Sequence, residues 1–179
     1  MGDAEALVGS DVVLLMLAAP TTVESARDRI NGITRLEKLL YLTERETRVS
    51  EDVSSEQLSF VAYDYGPFSK DVYEAVEILE ESGLLREDRT IDGRTIDSME
   101  DPDVTGAVDG DEYVERQFVL TPKGKLVADL LARHHPSVIQ ELARIKDAYA
   151  SRPLSALIRH VYRTYPESAA NSKIAHRFR

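Results

Sequence analysis

The sequence contains no cysteine, which excludes disulfide bridges and thiolate metal sites. It also lacks a long apolar run. The longest, residues 12–19, falls far short of the roughly 20 residues that a membrane span requires. That run follows acidic residues and has no basic leader, unlike a signal peptide, so a cytoplasmic location is expected. No P-loop, Gly-x-Ser-x-Gly, His-Glu-x-x-His or dinucleotide fingerprint occurs. The four histidines are His134, His135, His160 and His176, and none has a carboxylate nearby at helical ligand spacing. The expectation is a non-enzymatic protein with no catalytic residue, cofactor or metal. Lysine is scarce, with six against sixteen arginines.

What is present describes a globular chain. Its 179 residues are 42% hydrophobic and 30% charged, enough for one domain with helical additions and a real core. The formal net charge is -10, which fits a salt-rich host and an ordinary acidic protein equally well. The charge is uneven. Residues 92–112 carry eight acids against Arg94, whereas residues 144–179 carry eight basic side chains against Asp147 and Glu167. An acidic protein with a basic C-terminal end suggests a partner of opposite charge.

Periodicity and punctuation set the elements. Ser10 reads as an N-cap, and residues 12–19 as a helix buried on all sides and stopped by Pro20. Residues 21–32 read as polar and partly helical, turning at Asn31-Gly32. Ile33, Leu36, Leu39, Leu40 and Tyr41 recur at helical spacing, with Arg35, Glu37, Lys38 and Glu44 assigned to other faces. Residues 57–63 are β-prone and break at Asp64-Tyr65-Gly66-Pro67. Ser69 reads as the cap of a helix carrying Val72, Ala75, Val76 and Leu79, which Gly83 stops. Residues 84–89 and 113–120 read as strands around a long acidic loop. Thr121-Pro122 opens another helix, Pro136 restarts one, and Pro153 begins the last.

The order helix, helix, strand, long loop, strand, helix over residues 33–134 is that of a winged helix, with the strand pair as its wing. The expected fold is therefore mainly α with a small β-hairpin, an α+β class. It has a winged-helix-like core at 33–134 (acidic wing loop 90–112), an N-terminal helical segment at 1–32, C-terminal helices at 135–165 and a loose basic tail at 166–179.

Two stretches carry a resemblance. Arg35-Leu36-Glu37-Lys38-Leu39-Leu40-Tyr41-Leu42, followed by Ala62-Tyr63-Asp64-Tyr65-Gly66-Pro67-Phe68-Ser69-Lys70-Asp71-Val72-Tyr73, resembles the Panacea (SocA-type) antitoxin domain over residues 33–85. That family has a Lys-Leu-Leu-Tyr helix and then an aromatic–x–x–Gly-Pro turn leading to Val-Tyr. Tyr63-Asp64-Tyr65 departs from the Ala-Trp type pair expected there. Separately, Phe118-Val119-Leu120-Thr121-Pro122-Lys123-Gly124 is similar to the end of the wing in PadR- and MarR-type regulators. These resemblances imply a regulator, either an antitoxin-like adaptor or a repressor.

Two surfaces compete as sites. The outer line of the 69–82 helix is Lys70, Glu74, Glu77 and Glu81. Three carboxylates would repel phosphates, so this helix suits a protein partner, toxin-like or regulatory, better than a DNA groove. The turn bearing Tyr63, Asp64, Tyr65 and Phe68 mixes aromatic and polar groups, as binding hot spots do, or else plugs a gap between helices. A nucleic acid would instead use Lys123 and Lys125 with Arg152, Arg159, Arg163, Lys173 and Arg177, as a repressor, with homodimerisation giving two half-sites. Those cations also read as ordinary solvated helix faces. Asp101-x-Asp103-x-Thr105-Gly106-x-x-Asp109-x-x-Glu112 has the oxygen spacing of a calcium loop, but Pro102 and strand flanks favour an acidic wing tip.

Overall fold

A computed structural model describes residues 5–54, 58–64, 66–91, 94–96 and 114–178. Tyr65, and the calcium-like stretch 101–112, lie outside the described residues. The chain is mainly helical, with small antiparallel sheets. Six α-helices are α1 (Gly9–Ala18), α2 (Ile33–Glu46), α3 (Lys70–Glu81), α4 (Pro122–His134), α5 (Pro136–Tyr149) and α6 (Leu154–Thr164). The strands are β1 (Arg29–Asn31), β2 (Val61–Tyr63), β3 (Gly66–Phe68), β4 (Leu85–Ile91), β5 (Arg94–Ile96) and β6 (Val114–Leu120).

Helix α1 sits at the centre because its sequence has no polar face. Residues Val12 to Leu17 are all buried, and α3, α4 and α5 surround it together with the sheet. Burying each such side chain contributes about 2 kcal/mol relative to exposure. Ser10 is not the cap. It lies inside the helix, and Asp11 Oδ2 instead accepts the Val8 N–H at 2.9 Å. The carboxylate thereby meets both a free donor and the positive end of the helix dipole. At the other end, Pro20 forbids continuation.

Residues 21–32 are partly helical, and they also hold a strand that the sequence did not indicate. One 3-10 turn, Glu24–Ala26, is followed by strand β1. Ile30 is buried, and β1 pairs antiparallel with β6, Ile30 opposite Phe118. The larger sheet has the order β1-β6-β4-β5. Helix α1 and β1 share one core with α2 and the sheet.

Strands β4 and β6 pair antiparallel over seven positions, from Leu85 opposite Leu120 to Ile91 opposite Val114. This is the pairing expected of residues 84–89 and 113–120. Strand β5, within the stretch read as a loop, adds a third rung on β4. Glu87 ties the pair together, accepting from Arg116 and from Arg89. Burial pushes the Glu87 carboxyl up, but the two guanidinium groups outweigh it and hold it below the usual range. Gly83, at φ +70°, ends α3 in a Schellman turn. Leu84 N–H reaches the Leu79 carbonyl and Gly83 N–H that of Glu80.

Thr121 opens α4 as the sequence indicates, its hydroxyl accepting the Gly124 N–H at 3.0 Å. The tail is not loose. Two short 3-10 helices, Pro166–Ala169 and Ala175–Phe178, fold it back. The Phe178 ring meets Tyr162 edge-on. Among the described residues, no helix is long and apolar enough to cross a membrane.

Candidate functional site

Strands β2 and β3 form a separate two-stranded hairpin, with Val61 opposite Phe68 and Tyr63 opposite Gly66. Period-two alternation turns Val61 and Tyr63 outward, at 58% and 53% exposure. Gly66 is required twice over. Its φ is +97°, a left-handed conformation, and a methyl added there would come within 2.6 Å of the Tyr162 ring. The Tyr63 ring packs against Phe68, and Phe68 against Tyr73 of α3, with centroids 5.2 and 5.5 Å apart. Asp71 on α3 accepts the Ser59 N–H. The hairpin and the first turns of α3 thus make one continuous surface.

The outer face of α3 continues it. Lys70, Glu74, Glu77 and Glu81 are exposed, and Lys70 pairs with Glu74 at 2.8 Å. Ile78 stands among the glutamates at 55% exposure.

Beneath the hairpin lies a pair that helical periodicity misassigned. Glu37 and Lys38 of α2 are each only 1% exposed, not on a solvent face. Helix α2 is covered by α5 and α6 as well as by β1 and β3, so few of its positions reach water. Lys38 Nζ donates to the Pro67 carbonyl at 3.0 Å, and Glu37 Oε1 accepts the Ser69 N–H at 3.0 Å. Burial lowers the Lys38 ammonium to about 8, against the opposing pull of Glu37. Burial likewise raises the Glu37 carboxyl, opposed by the Lys38 charge and the Ser69 N–H. Ser69 does not cap α3 through its side chain as the sequence suggested. Its hydroxyl is buried and has no partner among the described residues, while its backbone N–H is the group that Glu37 holds. No local signal marks this pair, because Glu37 and Lys38 stand side by side and read as ordinary polar positions of a helix.

A pocket of about 180 Å³ opens over this pair, lined by Glu37, Lys38, Tyr63, Asp64, Gly66, Pro67 and Phe68. At its rim Asp64 forms an ion pair with Lys173 at 2.6 Å. The Lys173 N–H also donates to the Asp64 carbonyl, and Asn171 Nδ2 to that of Ala62. The basic tail therefore braces the turn rather than extending away from it.

The cations assigned to nucleic acid do not converge in one place. Lys123 Nζ donates to the Ser82 carbonyl at the end of α3, and Lys125 lies 3.5 Å from Asp28. Arg152 stacks over Tyr149 and donates to the Ala148 carbonyl. Arg159 lies over the Phe178 ring. Arg163 and Arg177 are exposed. His160, grouped with these arginines by sequence, is partly buried and faces Glu46 at 3.8 Å, stacked on Tyr149. His135 links α4 to α5 through its backbone, accepting the Ile139 N–H. No metal-ligand cluster occurs among the described residues.

No family model matches this chain, and no curated protein or solved structure is significantly similar to it.

Proposed function

We propose that this is a non-enzymatic regulatory protein of winged-helix type, antitoxin-like, acting by docking a protein partner on the β2–β3 hairpin and the outer face of α3. The observation that carries the reading is the continuous surface itself. Tyr63, Phe68 and Tyr73 form an aromatic ladder that leads into exposed Glu74, Glu77, Ile78 and Glu81. The succession α2, α3, β4, β6, α4, with β2–β3 and β5 as additions, supports the winged-helix type. The Panacea resemblance gains support from a contact. Its two short motifs touch through Lys38 to Pro67 and Glu37 to Ser69.

The repressor reading draws less support. The helix after the hairpin presents carboxylates where a groove-reading helix needs cations. Four of the seven candidate cations, Lys123, Lys125, Arg152 and Lys173, already hold protein partners.

The test is site-specific photocrosslinking in host cells from position 63, with position 163 as a control. A discrete protein adduct at 63 is expected, absent at 163 and lost in Glu74→Lys with Glu77→Lys. An adduct insensitive to that charge reversal contradicts the docking surface. A DNA mobility shift that weakens with salt, and is reduced by Arg159→Ala with Arg163→Ala, would establish the repressor instead.

A further inference from the structure

The pocket under the hairpin has a floor with hydrogen-bonding capacity left over. Lys38 is an ammonium with three N–H donors, and one of them goes to Pro67. Glu37 uses Oε1 on the Ser69 N–H, while among the described residues Oε2 accepts nothing. Both side chains line the pocket, and the other walls are mostly apolar: Gly66, Pro67, Phe68 and the Tyr63 ring. At about 180 Å³ the space is too small for a typical cofactor but takes one side chain.

Charge decides what fits. A carboxylate entering would face Glu37, and an ammonium would face Lys38. Either leaves one uncompensated charge in an enclosed site, at a cost of several kcal/mol. A carboxamide adds no charge. Its oxygen accepts from Lys38 and its N–H₂ donates to Glu37, so both spare functions are met. A purely apolar group would leave both unmet.

We infer that this pocket receives an uncharged carboxamide, supplied by an Asn or Gln side chain of the protein that docks on the hairpin. The assignment rests on the docking reading above and names the anchor that docking would use. Asp64 and Lys173, paired at the rim, present no net charge to repel it.

The test is titration of the full chain with benzamide, benzoate and benzylamine, followed by backbone ¹H–¹⁵N NMR. Benzamide is expected to shift resonances of residues 62–69 and of Lys38, binding at least fivefold more tightly than either charged analogue. Tyr63→Ala, an exposed wall position that leaves the core intact, is expected to weaken benzamide at least threefold, and Lys38→Met to abolish its effect. Benzamide is also expected to reduce the adduct formed from a crosslinker placed instead at exposed Val61, which leaves the pocket wall whole. Equal binding of the charged analogues, or no shift at 62–69, overturns the carboxamide assignment while leaving photocrosslinking free to support the docking surface. Selective benzamide binding that leaves the adduct unchanged overturns the partner's side chain as its source.

Discussion

Two lysines in this protein are buried to the same degree, and their surroundings differ. Lys146 of α5 is fully buried and donates to the carbonyls of Leu17 and Ala19 at 2.6 and 3.2 Å. It closes the C-terminal end of α1, where orphan carbonyls and the helix dipole both favour a cation. Lys38 of α2 has one carbonyl, a neighbouring carboxylate and a pocket above it. Burial lowers both ammonium groups to about 8. The same chemical group, equally desolvated, completes a helix in one place and keeps donors in reserve in the other. Burial of a charge therefore says little about role until its partners are counted.

The largest expected effect separates the two by deletion. Lys146→Met leaves two buried carbonyls unmet and is expected to cost about 3 kcal/mol in urea unfolding. Lys38→Met is expected to cost more, about 4 kcal/mol, because it leaves the buried Glu37 carboxylate without its neighbouring cation as well as the Pro67 carbonyl without its donor. Equal losses would erase the distinction. Gly66→Ala tests whether the hairpin wall is fixed over Lys38. Left-handed strain and the Tyr162 ring together are expected to cost about 2 kcal/mol.

The pH dependence follows from the same pair. Between pH 8 and the ordinary lysine range, the unfolded chain holds protons that the folded chain has released, so stability rises with pH. Each lysine is expected to add about 1 kcal/mol between pH 7 and 9, and each Met variant to remove its share. Above about pH 10.5, where the lysines of the unfolded chain have also lost their protons, the trend reverses. Tyr149 is raised to about 12 by burial and by its hydrogen bond to Glu46, so there the folded state holds the extra proton. The smallest effect is at the rim. Asp64→Asn removes a partly exposed ion pair with Lys173 and is expected to cost about 0.5 kcal/mol or less.

Much of the fold was legible because punctuation residues have local causes. Thr121-Pro122 starts α4 and Gly83 stops α3 through hydrogen bonds made within a few residues. Strand β1 was hidden because three residues carry no period, and what makes them a strand is the edge of β6, over eighty residues away. The tail read as loose because its ties, to Ala62, Asp64 and Tyr162, all lie outside its own segment. The exposed half of the site, Tyr63 with the α3 glutamates, was visible in the sequence as aromatic and acidic spacing. Its floor was not. Periodicity assumes a helix with one wet face, and α2 is covered on most of its circumference.

The most direct test is lysine side-chain ¹⁵N NMR across a pH titration of the intact protein, with and without benzamide. Two of the six Nζ signals, those of Lys38 and Lys146, are expected to titrate near 8, and benzamide is expected to move only the Lys38 signal. A Lys38 signal that titrates in the ordinary lysine range, or that ignores benzamide while Lys146 responds, would contradict the account.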